Sequence, residues 1–209
     1  MNLCCYPFCI QGDCCGRVPP VSRLHSNVFK TSLIAAPCKE PCCFLFGCLC
    51  GPFAACLVRS RALDENLTMY SCCQGYLYNM LPCCPAPGQC GEYSCPIVCL
   101  IMEAMFCQPC SMASSRMYVM DKFEIKSSGV GAAPIRVTNC AQVIQILADI
   151  ILPSLSYSWA TTAVAIIDPV AEFLYFVTMG CMTAQLVHEM KHQGRHAPMA
   201  QSMIRAEPL

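Results

Sequence analysis

Charge is what this 209-residue sequence has least of. Asp, Glu, Lys and Arg together make up 12% of it, against about 25% in ordinary soluble domains. Apolar residues make up 56% and the mean hydropathy is +0.47, so there is little polar material to cover a water-facing surface. Net charge is also missing: thirteen basic residues cancel thirteen acidic ones. That removes the electrostatic footprint of nucleic-acid binding, and no nucleic acid is expected as a partner. No phosphate-cradling glycine loop, nucleophile elbow or dinucleotide fingerprint occurs, and the length excludes a large multidomain enzyme. A non-enzymatic protein is therefore expected. The opening Met1–Pro20 lacks a basic stretch followed by an unbroken apolar one, being interrupted at Pro7, Gln11, Gly12, Asp13 and Gly16, so it does not read as a secretory leader.

Cysteine, in contrast, is abundant: 22 residues, above the roughly 8–10% that marks a cysteine scaffold. Without a leader into an oxidising compartment, most are expected to be thiols on the cytosolic side or in a bilayer. One triplet, Asn66-Leu67-Thr68, points the other way as a glycosylation sequon, a pattern common by chance. Five adjacent pairs occur: Cys4-Cys5, Cys14-Cys15, Cys42-Cys43, Cys72-Cys73 and Cys83-Cys84.

Periodicity divides the chain. Residues 1–37 are broken by Pro and Gly and read as an irregular arm. Cys42 to Val58 runs seventeen residues without a charge, short of the ~20 a spanning helix needs. Interrupted by Gly47, Gly51 and Pro52, it suggests a re-entrant, interfacial or bent segment, with Arg59 and Arg61 marking a cytoplasmic edge. Lys and Arg vanish from Ala62 to Ser115 and from Val137 to Met190. Between these gaps stand Arg116, Lys122, Lys126 and Arg136, expected on the cytosolic side by the positive-inside rule. A helix should start near Pro96 and be kinked or ended at Pro109, and Ser127–Gly131 should be a loop. Another helix is expected from Asn139 to Leu152, then a restart with Asp168 as N-cap and Pro169 in the first turn. Within that last helix Gly180 and Ala184 form a small-xxx-small pair for close helix approach. Glu103, Asp149 and Glu172 interrupt apolar segments: buried they would be cation ligands, otherwise the polar side of amphipathic helices.

The stretch Cys42-Cys43-Phe44-Leu45-Phe46-Gly47-Cys48-Leu49-Cys50 resembles the signature of the placenta-specific 8 family, which includes plant cadmium-resistance and cell-number-regulator proteins. Leu49 stands where that family usually has Pro. A second block, Cys107-Gln108-Pro109-Cys110 with Arg116, is similar to another of its motifs, so the resemblance covers about residues 38–126. It implies a small, oligomeric membrane protein linked in some members to zinc or cadmium tolerance and in others to growth. The 138–192 segment reads as an added apolar helical pair and 193–209 as a polar tail.

The fold class expected is mainly α: a small cysteine-rich, membrane-associated helical protein in a plasma membrane or endomembrane. Its expected partners are membrane lipid and further copies of itself. Thiolates favour zinc, cadmium or cuprous copper, and the expected metal ligands are Cys42, Cys43, Cys48, Cys50, Cys107 and Cys110, with zinc as the cofactor they would take. The alternative is an S-acylated scaffold without metal. A remote alternative is a zinc hydrolase, because His188-Glu189-Met190-Lys191-His192 is H-E-x-x-H; the positions of Gly194 and His196 do not fit the longer metalloprotease motif.

Overall fold

Proline sets the architecture. In the computed structural model, which describes residues 26–76, 87–89, 91–126, 131–152 and 158–193, six helices in succession carry a proline in their first turn. They are α1 (Ala36–Lys39), α2 (Pro41–Leu49), α3 (Gly51–Ala62), α4 (Pro96–Phe106), α5 (Gln108–Lys122) and α6 (Ala133–Ile151). A first-turn proline loses no helical hydrogen bond, whereas further in it would clash with the carbonyl four residues back. The last helix, α7 (Ser158–Gln193), is the exception, with Pro169 inside it. The expected restart at Asp168 is thus corrected. The apolar run on both sides continues the helix through the proline, at the cost of one hydrogen bond. Likewise α6 begins at Ala133, six residues before the expected start, because Pro134 supplies the first turn.

Helices α2–α3 and α4–α5 are two broken pairs built alike. The breaks fall at Cys50 (φ −124°, ψ 47°) and Cys107 (φ −129°, ψ 46°). Each breaking cysteine closes one helix with its N–H, to Phe46 O and Glu103 O, and opens the next with its C=O, accepting from Ala54 and Ser111. The second pair bends by 117°. Cys50, Pro52 and Arg59 recur 57 residues later as Cys107, Pro109 and Arg116, so the two breaks are a structural repeat. They also meet: a Cβ on Gly51 would lie 2.8 Å from Gln108 Cδ.

The main core gathers Ala55, Val58, Met112, Val119, Met120, Met179, Met182 and Leu186, from α3, α5 and the C-terminal half of α7. Helix α6 runs antiparallel along the other half of α7, through Thr138 Oγ1–Thr178 Oγ1 at 2.6 Å and Gln142 Nε2 donating to Ala171 O at 2.9 Å. Helix α2 crosses α7 where Gly47 faces Gly180. A Cβ on Gly180 would sit 2.7 Å from Phe44 O, and one on Gly47 would sit 2.8 Å from Gly180 Cα. Backbone cannot yield as a side chain does, so Gly180→Val should cost about 1–3 kcal/mol by overpacking, read as a lowered Tm in detergent; an unchanged Tm would mean the crossing does not exist. No strand occurs among the described residues, only a bridge between Asn27 and Ile125.

One helix among the described residues, α7 from Trp159, is long and apolar enough to cross a membrane, with 33% of its most apolar window buried in the protein. Long core helices of soluble proteins share that property. Residues 1–25 and 194–209, which hold most of the expected arm and the polar tail, lie outside the described residues, as do Cys83, Cys84 and most of the Ser127–Gly131 loop.

Candidate functional site

The breaks and the core together bury a charge pair. Arg59, two turns into α3, points inward rather than marking a cytoplasmic edge, and its Nη2 lies 3.0 Å from Glu103 Oε1 of α4, with both side chains out of solvent. The same nitrogen reaches Ser111 O at 3.2 Å and Ser114 Oγ. Arg116, its counterpart in the repeat, is also buried rather than at the surface. It stacks over the Phe29 ring at 4.5 Å and donates to Gln185 Oε1. Lys122 donates to Ala62 O at 2.9 Å and Asp64 Oδ1 at 2.6 Å. Two of the four basic groups expected to mark a cytosolic surface are therefore spent on internal contacts.

Glu103 Oε2 faces the other way and accepts from Tyr70 OH and Cys73 N, each at 2.8 Å. Burial first, and then the Glu103 charge, push the Tyr70 phenol well above its ordinary range, so it stays a donor. Arg59 Nε and Nη1 and Ser111 Oγ are buried with no hydrogen-bond partner among the described residues. Of the three acids flagged in apolar segments, Glu103 alone is buried; Asp149 and Glu172 are exposed.

Cys72 and Cys73 sit on a tight turn whose backbone is left-handed at Cys73 (φ 47°) and Gln74 (φ 49°), a conformation that non-glycine residues rarely adopt. Buried Glu92 ties the turn down, accepting from Cys72 N and Gly88 N. The result is a group of metal-type donors: a sulfur from Cys72, a sulfur from Cys73 and a Glu103 oxygen all lie within 4.8 Å of one another.

The six thiols expected as ligands are placed differently. Cys42 is exposed; Cys43, Cys48 and Cys50 are half-buried on or beside α2; Cys107 is half-buried at the α4–α5 break and Cys110 is buried in α5. None of them belongs to a group of three close metal-type donors among the described residues. Sequence reasoning noted Cys72-Cys73 as an adjacent pair and Glu103 as an anomalous acid, but nothing local ties residues thirty positions apart.

The H-E-x-x-H residues lie near the end of α7. The His188 and His192 rings lie with centroids 4.3 Å apart, tilted 54° to one another, as neighbours on one helix face at one-turn spacing. Glu189 does not join them. It is fully buried and accepts from Lys30 N at 2.9 Å and from Gln193 Nε2, so it serves as an internal acceptor where a zinc hydrolase needs a water-activating base. His188 Nδ1 instead lies 3.6 Å from Glu40 Oε1. The Lys191 ammonium, 2.6 Å from Glu40, is the main cause holding the Glu40 carboxyl below its usual range, with His188 adding to it.

Compared with family models, curated proteins and solved structures, the chain matches none. The placenta-specific 8 resemblance accordingly stands on its motif residues alone.

Proposed function

We propose that this chain is a non-enzymatic protein embedded in a bilayer, with α7 as the helix that crosses the hydrocarbon and with α6, α2 and α4 packed beside it, their apolar faces toward lipid. The observation that carries this is where the exposed apolar side chains lie. Among the described residues, all the large ones except Val28, Ile34, Phe53, Met69 and Tyr93 lie on α2, α4, α6 and α7 up to Phe176. Helices α5 and the remainder of α7 expose none. In water such an apolar band exceeds what monomeric soluble proteins tolerate; against acyl chains it costs nothing. Among the described residues α7 is the helix long and apolar enough to cross, whereas α6 carries exposed Arg136 and Asp149 and so lies along α7 without crossing.

Glu172 is exposed among these apolar neighbours, and Asp168 carries a buried oxygen with no hydrogen-bond partner among the described residues. A carboxylate facing lipid costs about 2.5–3.5 kcal/mol at mid-depth, so this reading turns that side of α7 toward a second copy. Soft-metal handling and growth regulation, which the family resemblance implies, would be functions of such an assembly.

A second reading is favoured by the exposed thiols of Cys38 and Cys42 beside the apolar α2: S-acylation would anchor a scaffold without any span. Carbonate extraction of membranes carrying the tagged protein, with and without hydroxylamine, separates the two. Retention in both cases is the expected result. Release only after hydroxylamine would establish thioester anchoring, and release by carbonate alone would sink both readings.

A further inference from the structure

We propose that Cys72, Cys73 and Glu103 form a binding site for a soft divalent cation, zinc or cadmium. The inference does not rest on the bilayer reading, since its donors and their support lie inside the protein. The thiol and carboxylate donor atoms already lie within 4.8 Å of one another, and two sulfurs with a carboxylate oxygen make a donor set that favours zinc-like ions over magnesium or calcium.

Neighbouring side chains on an extended chain point to opposite sides. The left-handed turn at Cys73 and Gln74 is what turns both thiols toward one carboxylate. The support around them is complete. Cys72 N is held by Glu92, Cys73 N donates to the same Glu103 oxygen that accepts from Tyr70 OH, and Arg59 holds the other oxygen. Such outer hydrogen bonds orient ligands and tune affinity.

Charge and ligand chemistry together favour a divalent ion. With both thiols protonated, Arg59 and Glu103 balance. One M²⁺ entering with loss of the two thiol protons forms two metal–sulfur bonds, releases two H⁺ and leaves the buried site at the same net charge. A monovalent ion keeps the charge unchanged only by displacing one proton, which leaves the other sulfur a neutral thiol and a poorer ligand, and a divalent ion on neutral thiols would leave the site positive, which is costly in a buried place. Cys72 is half-buried while Cys73 is buried, which gives entry from one side. Three protein donors leave a fourth tetrahedral position to water.

The test is titration of the reduced full chain in detergent with Cd²⁺ against a competing chelator, following the thiolate-to-cadmium charge-transfer absorbance. The Cys72→Ser/Cys73→Ser protein should lose one tightly bound equivalent with its absorbance, whereas Cys42→Ser/Cys43→Ser should keep both. Glu103→Gln should weaken the site by about tenfold or more. An unchanged titration in Cys72→Ser/Cys73→Ser overturns the site. Should that variant lose its helical circular dichroism, the wild-type chain decides: cadmium should slow alkylation of Cys72 and Cys73, located by mass spectrometry, and equal alkylation with and without cadmium overturns the proposal. Because the assay is done in detergent, its failure is distinct from failure of membrane retention.

Discussion

Glu103→Ala should destabilise the protein by about 3–5 kcal/mol, a large share of the ~5–15 kcal/mol that holds a domain together. The reason is what it leaves behind. Arg59 is wholly buried, and two of its guanidinium nitrogens already lack a partner among the described residues; losing Glu103 removes its counter-charge as well. Tyr70 OH and Cys73 N lose their acceptor in the same step. Arg59→Ala should cost a similar amount by stranding the carboxylate. The double change Arg59→Met/Glu103→Leu should recover most of the loss, because a buried ion pair replaced by packed apolar groups is often neutral or stabilising. Thermal unfolding in detergent checks all three. If Glu103→Ala unfolds like the wild type, the Arg59–Glu103 pair is not buried as described.

The second large effect concerns the exposed band. Ile144 and Leu147 lie one turn apart on α6, each 50% exposed. Changing either to lysine should cost about 2.5–3.5 kcal/mol of insertion free energy if the face meets hydrocarbon, and the double change should convert a carbonate-resistant protein into an extractable or degraded one. If the same face meets water, a surface lysine shifts stability by no more than about 0.5 kcal/mol and improves solubility. The two environments therefore predict opposite outcomes from one pair of variants, and soluble, stable Ile144→Lys/Leu147→Lys protein would end the bilayer reading.

Proline made one helix start and one break legible before any tertiary contact. Pro96 opens α4 as expected, and the kink or end expected at Pro109 is the α4–α5 break, because local sterics alone decide where a proline can stand. The same locality misled at Pro169, where apolar sequence and packing on both sides outweigh one missing hydrogen bond. Gly180 could be picked out as a contact residue by spacing, but only the fold supplied the partner, Gly47 of α2.

The long-range pairings were beyond the sequence. Arg59 and Arg116 look like surface charges when read along the chain, and Glu103 looks like an isolated acid in an apolar run. Nothing local shows that α3 and α4 bring residues 44 positions apart to 3.0 Å. By itself the sequence determined composition, proline punctuation and helical class, which follow from backbone sterics and the shortage of charge. The tertiary structure alone decided which charges are neutralised internally, which apolar faces stay uncovered, and that Cys72 and Cys73 converge with one carboxylate as a group of three donors. Those outcomes depend on how distant helices pack, and that information is held by no single segment of the chain.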